Sequence, residues 1–193
     1  DSVCPHMHLP LQSGSSRILK AMRRTYDRGR FLDRVALIRE YNPDIALTTD
    51  IIVGFPGETE ADFAETLEVC EEVGFDGAFT FIYSPRRDTE AAELTEDFIA
   101  HDVAVERMER LVEVVQRRAA QRAERFVGRM LDVLVEGPSR TDPSRLRGRS
   151  GHGKTVNFSG LAHAGEIVPV QITRSTSQTL SGEMSLLARA LAS

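Results

Sequence analysis

With 193 residues, 41% hydrophobic and 27% charged, the chain has the composition of a globular protein of one or two domains with a buried core. No apolar run approaches the ~20 residues that span a bilayer, and DSVCPHMHLP lacks the basic-then-apolar order of a secretion signal. The net charge of −5 divides unevenly: residues 1–126 carry 16 Lys/Arg against 24 Asp/Glu, whereas 127–193 carry 8 against 5, a mildly basic tail suited to an anion such as nucleic acid.

The pattern to about residue 126 alternates strand and helix. HMHLPLQ reads as a strand, followed by a helix near 15–23 with Ser15 as its N-cap. In RGRFLDRVALIREYN, Phe31, Leu32, Val35 and Ile38 share one helical face before Asn42-Pro43 ends it. ALTTDIIVGF is the next strand. Thr59 and Asp62 then form a loose capping box for a helix that buries Phe63, Leu67 and Cys70 and ends near Gly74. GAFTFIYS is a third strand, and the loop PRRDTEAAEL leads towards a helix over about 101–126. Its apolar stripe of Met108, Leu111, Val112, Val115 and Ala119 is flanked by Arg110, Arg117, Arg118, Arg122 and Arg125, which read as a solvated face, with a nucleic-acid contact as the alternative. Strands separated by helix-sized segments predict βαβ units and a parallel sheet.

After Gly128 the period becomes two. RMLDVLVEG alternates Leu131, Val133 and Val135 against Met130, Asp132, Leu134 and Glu136, and Gly/Pro-punctuated short strands follow. About 60 such residues fit a small closed β-barrel of oligonucleotide-binding character. The expected fold class is therefore α/β over 1–126, followed by an all-β barrel over 127–193.

In parallel α/β folds ligands lie at the carboxyl ends of strands, where QSGSS and GFPGET stand. Gln12 and Ser13 offer polar side chains there, while Gly14, Gly54 and Gly57 permit close backbone approach. Asp50 either accepts a ligand hydroxyl or caps its strand. Cys4, His6 and His8 alternate on one strand face, but successive positions ~6–7 Å apart are stretched for one ion at bond lengths of ~2.0–2.3 Å. A polar interior facing a ligand is the preferred reading. Cys4 and Cys70 form no CxxC, which points to a reducing cytoplasm. Neither a P-loop nor GxGxxG is present, and no nucleophilic triad or metalloprotease motif appears, so the residues alone name no reaction.

HLPLQSGSSRILKAMRRTY, TTDIIVGFPGETEADF, FTFIYSPR and VEGPSR...VNFSG together resemble the MiaB-type tRNA methylthiotransferases, radical S-adenosylmethionine (SAM) enzymes with a C-terminal TRAM domain. The resemblance implies the C-terminal part of a radical SAM α/β barrel joined to a TRAM barrel, and methylthiolation at C2 of an N6-isopentenylated adenosine beside the anticodon. In that family one 4Fe-4S cluster cleaves SAM to a 5′-deoxyadenosyl radical, and an auxiliary iron–sulfur cluster serves sulfur and methyl delivery. Gln12 and Ser13 would stand near the SAM ribose and methionine portion. Asp50, Ile52 and Gly54 would line the adenine, and Tyr83 would lie close by. Arg24 would pair with the SAM carboxylate, or is a helix-surface charge. Arg140, Arg147, Arg149 and Lys154 would hold the tRNA anticodon stem-loop through phosphates. Asn157 would add a hydrogen bond, and Phe158 a stacking face or a core side chain. The implied partners are tRNA, SAM and a sulfur donor, with no membrane, for a cytoplasmic monomer.

The sequence departs from that family in three ways. It holds no Cys-x3-Cys-x2-Cys loop to ligate the radical cluster, and it opens at Asp1 directly before a strand, which reads as a piece of a longer protein. No metal ligand or catalytic residue is therefore assigned, and the chain alone is not expected to cleave SAM. Arg87, Asp88 and Glu90 also stand where the family carries two prolines and a glycine. Two other readings are a sister enzyme acting on a ribosomal-protein aspartate, and a non-catalytic RNA-binding piece.

Overall fold

A computed structural model describes residues 3–85, 97–140 and 142–185. Arg87, Asp88 and Glu90 lie outside the described residues. The chain divides into one unit of Met7–Arg118 and another made of Asp1–His6 with Ala119–Ser193.

In the first unit, β2 (Ala46–Val53) lies between β1 (His6–His8) and β3 (Gly77–Ile82), and β2 and β3 run parallel with Asp50 opposite Phe79 and Ile52 opposite Phe81. Strict alternation sorts β2 into two faces. Thr49, Ile51 and Val53 are buried, whereas Thr48, Asp50 and Ile52 remain partly open. Leu47, Ile51, Val53, Phe63, Phe75 and Leu111 belong to the core under the buried face. Each such side chain contributes about 1.5–3 kcal/mol by leaving water. The opposite face carries Phe79 at 63% and Phe81 at 51% exposure.

Among the described residues four helices accompany the sheet: α1 (Ser16–Ala21), α2 (Arg28–Tyr41), α3 (Glu60–Val73) and α4 (His101–Ala123). Phe31 and Val35 are the buried face of α2, with Leu32 and Ile38 packed against the core. The Thr59–Asp62 capping box of α3 is fully formed, and Gly74 ends that helix in the left-handed region at φ +56°. The α4 helix stops at Ala123, and the remaining turn, Glu124–Phe126, is 3-10. Two local expectations are corrected. The first strand covers only His6–His8, because Pro10 supplies no N–H to the ladder; the chain rejoins β2 at the Gln12–Ile51 bridge. Ser15 makes no N-cap hydrogen bond, because its hydroxyl instead donates to Asp62 at 2.7 Å.

The second unit contains a closed barrel of β4 (Met130–Pro138), β5 (Leu146–Ser150), β6 (Thr155–Ser159), β7 (Ile167–Ser175) and β8 (Thr179–Met184), in the order β4-β5-β6-β8-β7. Leu131, Val133 and Val135 point inward as the period of two predicts, towards Val156, Phe158 and Leu180. Two glycines let strands pass closely. A Cβ on Gly148 would stand 2.5 Å from the Leu134 carbonyl oxygen, and one on Gly182 would stand 2.4 Å from that of Gln171. The α/β architecture followed by a small β-barrel is thus present.

Candidate functional site

The strand ends of the first unit converge. The Gln12 amide donates to the Asp50 carbonyl at 2.8 Å, and the Gln12 carbonyl accepts the Ile52 amide at 2.9 Å. This two-sided attachment holds Gln12 at φ +66°, a region sparsely used by residues other than glycine, and only 7% exposed. Asp50 and Ile52 project from the adjacent strand onto the open face of the sheet, beside Phe79 and Phe81.

His8 joins them there. Its Nε2 stands 3.3 Å from Asp50 Oδ2, its Nδ1 lies 3.0 Å from Thr48 Oγ1, and its ring meets Phe79 edge-on at 6.1 Å. One carboxylate with an oriented imidazole, bordered by aromatic and aliphatic surface, suits a ligand that has both a flat ring and hydroxyl or cationic groups. Tyr83, just past β3, is anchored by its amide to the Val53 carbonyl at 2.8 Å, and its ring lies against Phe55 and Phe98. The Tyr83 hydroxyl is buried without a hydrogen-bond partner among the described residues.

The glycine-bearing turns have a different purpose from the one expected. Gly14 makes its close approach to protein rather than ligand, since a Cβ there would stand 2.5 Å from both the Glu65 carbonyl oxygen and Thr66 Cα of α3. Ser13 is fully buried beside the same helix. Its hydroxyl accepts the Ser15 amide at 3.2 Å and lies 3.4 Å from Thr66 Oγ1, which corrects the expectation that it faces a ligand.

In GFPGET, Phe55–Glu58 forms a turn closed by the Glu58 amide and Phe55 carbonyl at 2.9 Å, with Pro56 ahead of Gly57 at φ +75°. The Gly54 amide donates to Glu58 Oε2 at 2.9 Å, the Gly57 amide to the Asp97 carbonyl at 2.8 Å, and the Thr59 amide to Asp62 at 2.8 Å. These amides are consumed within the protein, so the turn is a brace and offers no cradle for phosphate. Gly54 also packs closely, with a Cβ there 3.0 Å from that of Ala104.

Two carboxylates organise the brace. Asp62 receives Arg17, Thr59 and Ser15. Burial opposes its ionisation, but these donors prevail and hold the carboxyl well below the usual range. Glu58 is 2% exposed and pairs with the buried Arg107 at 2.8 Å. Burial pushes the Glu58 carboxyl up, against the Gly54 amide and the Arg107 charge. The α4 arginines are mostly paired as well: Arg110 with Glu60 and Glu106, and Arg117 and Arg118 with Glu71. Arg24 is exposed just beyond α1, and no described contact joins it to the strand ends.

On the barrel, Arg140 is exposed, and Arg147 and Arg149 project outward from β5 towards Glu136. Asn157 accepts from the Ser139 hydroxyl at 2.9 Å on the same side. Lys154 is corrected: it is 6% exposed, with Nζ donating to the Ser177 carbonyl at 3.2 Å. Phe158 is fully buried and belongs to the barrel core, so the stacking alternative is corrected too. Sequence reasoning missed the pairing of His8 with Asp50 and the roles of Glu58, Arg107 and Glu136. Only His8 had a signal, its alternation with His6 ahead of a candidate strand end.

Iron–sulfur ligation does not fit these residues. The Cys70 thiol is 1% exposed and pushed up to about 12, by burial first and then by Glu71, so it stays protonated; Cys4 is exposed. Among the described residues no group of three or more His, Cys, Asp or Glu could hold a metal ion. None of the described helices is long and apolar enough to cross a membrane.

Comparison with known proteins places these features. Residues 1–70 match the sequence model of the radical SAM superfamily, and residues 124–185 match that of the TRAM domain. The chain is 50% identical over 185 residues to the tRNA-2-methylthio-N(6)-dimethylallyladenosine synthase of Clostridium perfringens, covering 95% of this chain and 41% of that protein. It is 50% identical over 184 residues to the synthase of the same name from Clostridium botulinum, with the same coverage. The chain thus spans about two fifths of the length of these relatives. In structure it is similar to coproporphyrinogen III oxidase from Escherichia coli, a radical SAM enzyme, with a TM-score of 0.52 and 11% identity over 91% of this chain and 44% of that one. At that identity the likeness concerns the fold.

Proposed function

We propose that this chain supplies the SAM-facing sheet and the RNA-holding barrel of a tRNA methylthiotransferase, which adds a methylthio group at C2 of N6-isopentenyladenosine beside the anticodon. The 50% identity over 95% of the chain to tRNA-2-methylthio-N(6)-dimethylallyladenosine synthases carries the reading. The open sheet face supports it chemically. Phe79, Phe81 and Ile52 provide a surface for adenine, and Asp50, held by His8, accepts the ribose hydroxyls or the ammonium group. Gln12 and Tyr83 border the same strand ends, and the buried Tyr83 hydroxyl donates to the ligand. SAM, once bound, would supply the methyl group and, on taking up one electron, the radical, with Asp50, Gln12 and Tyr83 holding it in place. Ser13 and Gly54 shape the backbone around the site, and Arg24 reaches the SAM carboxylate from the loop after α1.

The barrel holds the tRNA anticodon stem-loop through Arg140, Arg147 and Arg149, with Asn157 beside them. The enzyme works in the cytoplasm as a monomer, with a sulfur donor. Deleting the gene and analysing tRNA nucleosides by mass spectrometry tests the activity. Loss of the 2-methylthio group with accumulation of N6-isopentenyladenosine is the expected result. Unchanged tRNA methylthiolation would overturn it, and a lost modification on a ribosomal-protein aspartate would identify the sister activity.

A further inference from the structure

The outward side of β4 and β5 places two guanidinium groups around one carboxylate. Arg147 Nε lies 3.1 Å from Glu136 Oε2, and Arg149 Nε lies 3.1 Å from Glu136 Oε1. The backbone creates this meeting. Arg147 and Arg149 are alternate residues of one strand and so project to the same side. Opposite them the β4 register shifts between Val135 and Gly137: Val135 faces Gly148, Gly137 faces Arg147, and Glu136 is the extra residue between. Without that bulge Glu136 would stand directly across from Arg147 alone; with it, the carboxylate sits between both arginines. Gly137, at φ +130°, accommodates the distortion.

The Glu136 carboxylate fills this position imperfectly. Arg149 Nε makes an aligned hydrogen bond to it, and Arg149 Nη1 is fixed to the Gly153 carbonyl at 3.2 Å. Arg147 Nε is buried and has no aligned acceptor despite its short distance to Glu136. A buried N–H without an acceptor favours a better-placed anion. Phosphate oxygens match guanidinium groups as carboxylate oxygens do, and a tetrahedral anion offers more directions of approach.

We propose that Arg147 and Arg149 form one seat for a single RNA phosphodiester, and that Glu136 occupies this seat until RNA displaces it. This rests on the reading of the barrel as an RNA-holding domain and adds a residue that sets its affinity. A half-exposed ion pair is weak, so displacement costs little. Glu136 lowers affinity for any polyanion, and most of all for contacts too short to displace it.

The test measures binding of the protein to a short RNA stem-loop by fluorescence anisotropy across a salt series, with thermal melting of each variant. Glu136→Gln keeps the size of the side chain and removes its charge; Glu136→Thr, suited to a strand, is the second variant. Both are expected to bind tighter by roughly two- to fivefold at low salt, the scale of an exposed ion pair. Arg147→Ala is expected to weaken binding more in the Glu136→Gln background than in the wild type. Equal or weaker binding by both Glu136 variants at unchanged melting temperature would overturn the seat, even if the arginine variants still bind less. Binding without salt dependence in every variant would instead overturn the RNA reading itself.

Discussion

The carboxylate of Glu58 accepts the Gly54 amide at 2.9 Å and meets Arg107 of α4 at 2.8 Å, all three residues lying out of solvent. One side chain therefore ties the end of β2 to a helix about fifty residues later in the chain. Removing Arg107 leaves the Glu58 charge buried without a cation, whereas removing Glu58 leaves Arg107 with Glu60 at 3.4 Å. Arg107→Ala is expected to cost about 3–5 kcal/mol and Glu58→Ala somewhat less, and the double replacement Glu58→Ala with Arg107→Ala costs less than the sum. Urea unfolding of the four proteins checks the cycle.

Asp62 and Glu58 tilt the pH dependence of stability in opposite directions. The Asp62 carboxyl is held below its ordinary value, so its contribution is complete above that value, near pH 4, and is lost as the medium is acidified. Glu58 is raised, so its contribution is present below its ordinary value and fades as pH rises through the folded one. Asp62→Asn is expected to flatten the acid limb of a stability–pH curve, and Glu58→Gln to remove the opposing slope. Denaturant midpoints measured from acid to neutral pH separate the two.

Gly14 and Gly57 are expected to respond differently to alanine. At Gly14 the new methyl would meet α3 backbone at 2.5 Å, so the helix must move, and a loss of about 1–3 kcal/mol follows. Gly57 has nothing within 4 Å of a Cβ, and only its φ of +75° resists, at about 1–2 kcal/mol. Thermal melting gives the size of each loss. The added observation is α3 protection in amide exchange, which Gly14→Ala lowers and Gly57→Ala leaves unchanged.

Arg140 and Lys154 are both basic residues of the barrel unit, but only Arg140 is exposed. Arg140→Ala is expected to weaken RNA binding evenly across sequences and to shrink the salt slope by about 0.7–0.9, one phosphate contact. Lys154→Ala is expected to lower the melting temperature, since Nζ no longer bridges to Ser177, while the salt slope holds. Anisotropy titrations at several salt concentrations distinguish the two.

Local chemistry was legible in the sequence. Thr59 and Asp62 stand three apart before an apolar run, Gly74 follows the last turn of that run, and Leu131, Val133 and Val135 alternate, because each signal is written within a few residues. What presses on a glycine is not written beside it. Gly14 looks open to a ligand until α3, fifty residues later, is seen against it. The same distance hid Glu58 with Arg107, because an acid in a turn and a base in a helix carry no mark of their pairing. His8 with Asp50 needed the parallel register, and Glu136 with its two arginines needed a bulge that strict alternation does not anticipate.

Every strand of the barrel has a neighbour on both sides, with β6 and β8 joined in parallel and the other four pairs antiparallel. A closed ring of this kind has no free border along which another polypeptide could extend the ladder. Whatever it holds is gripped by side chains standing on a finished framework. Its preferences can therefore change by exchange of outward residues such as Arg149 or Asn157, with the scaffold beneath left as it is.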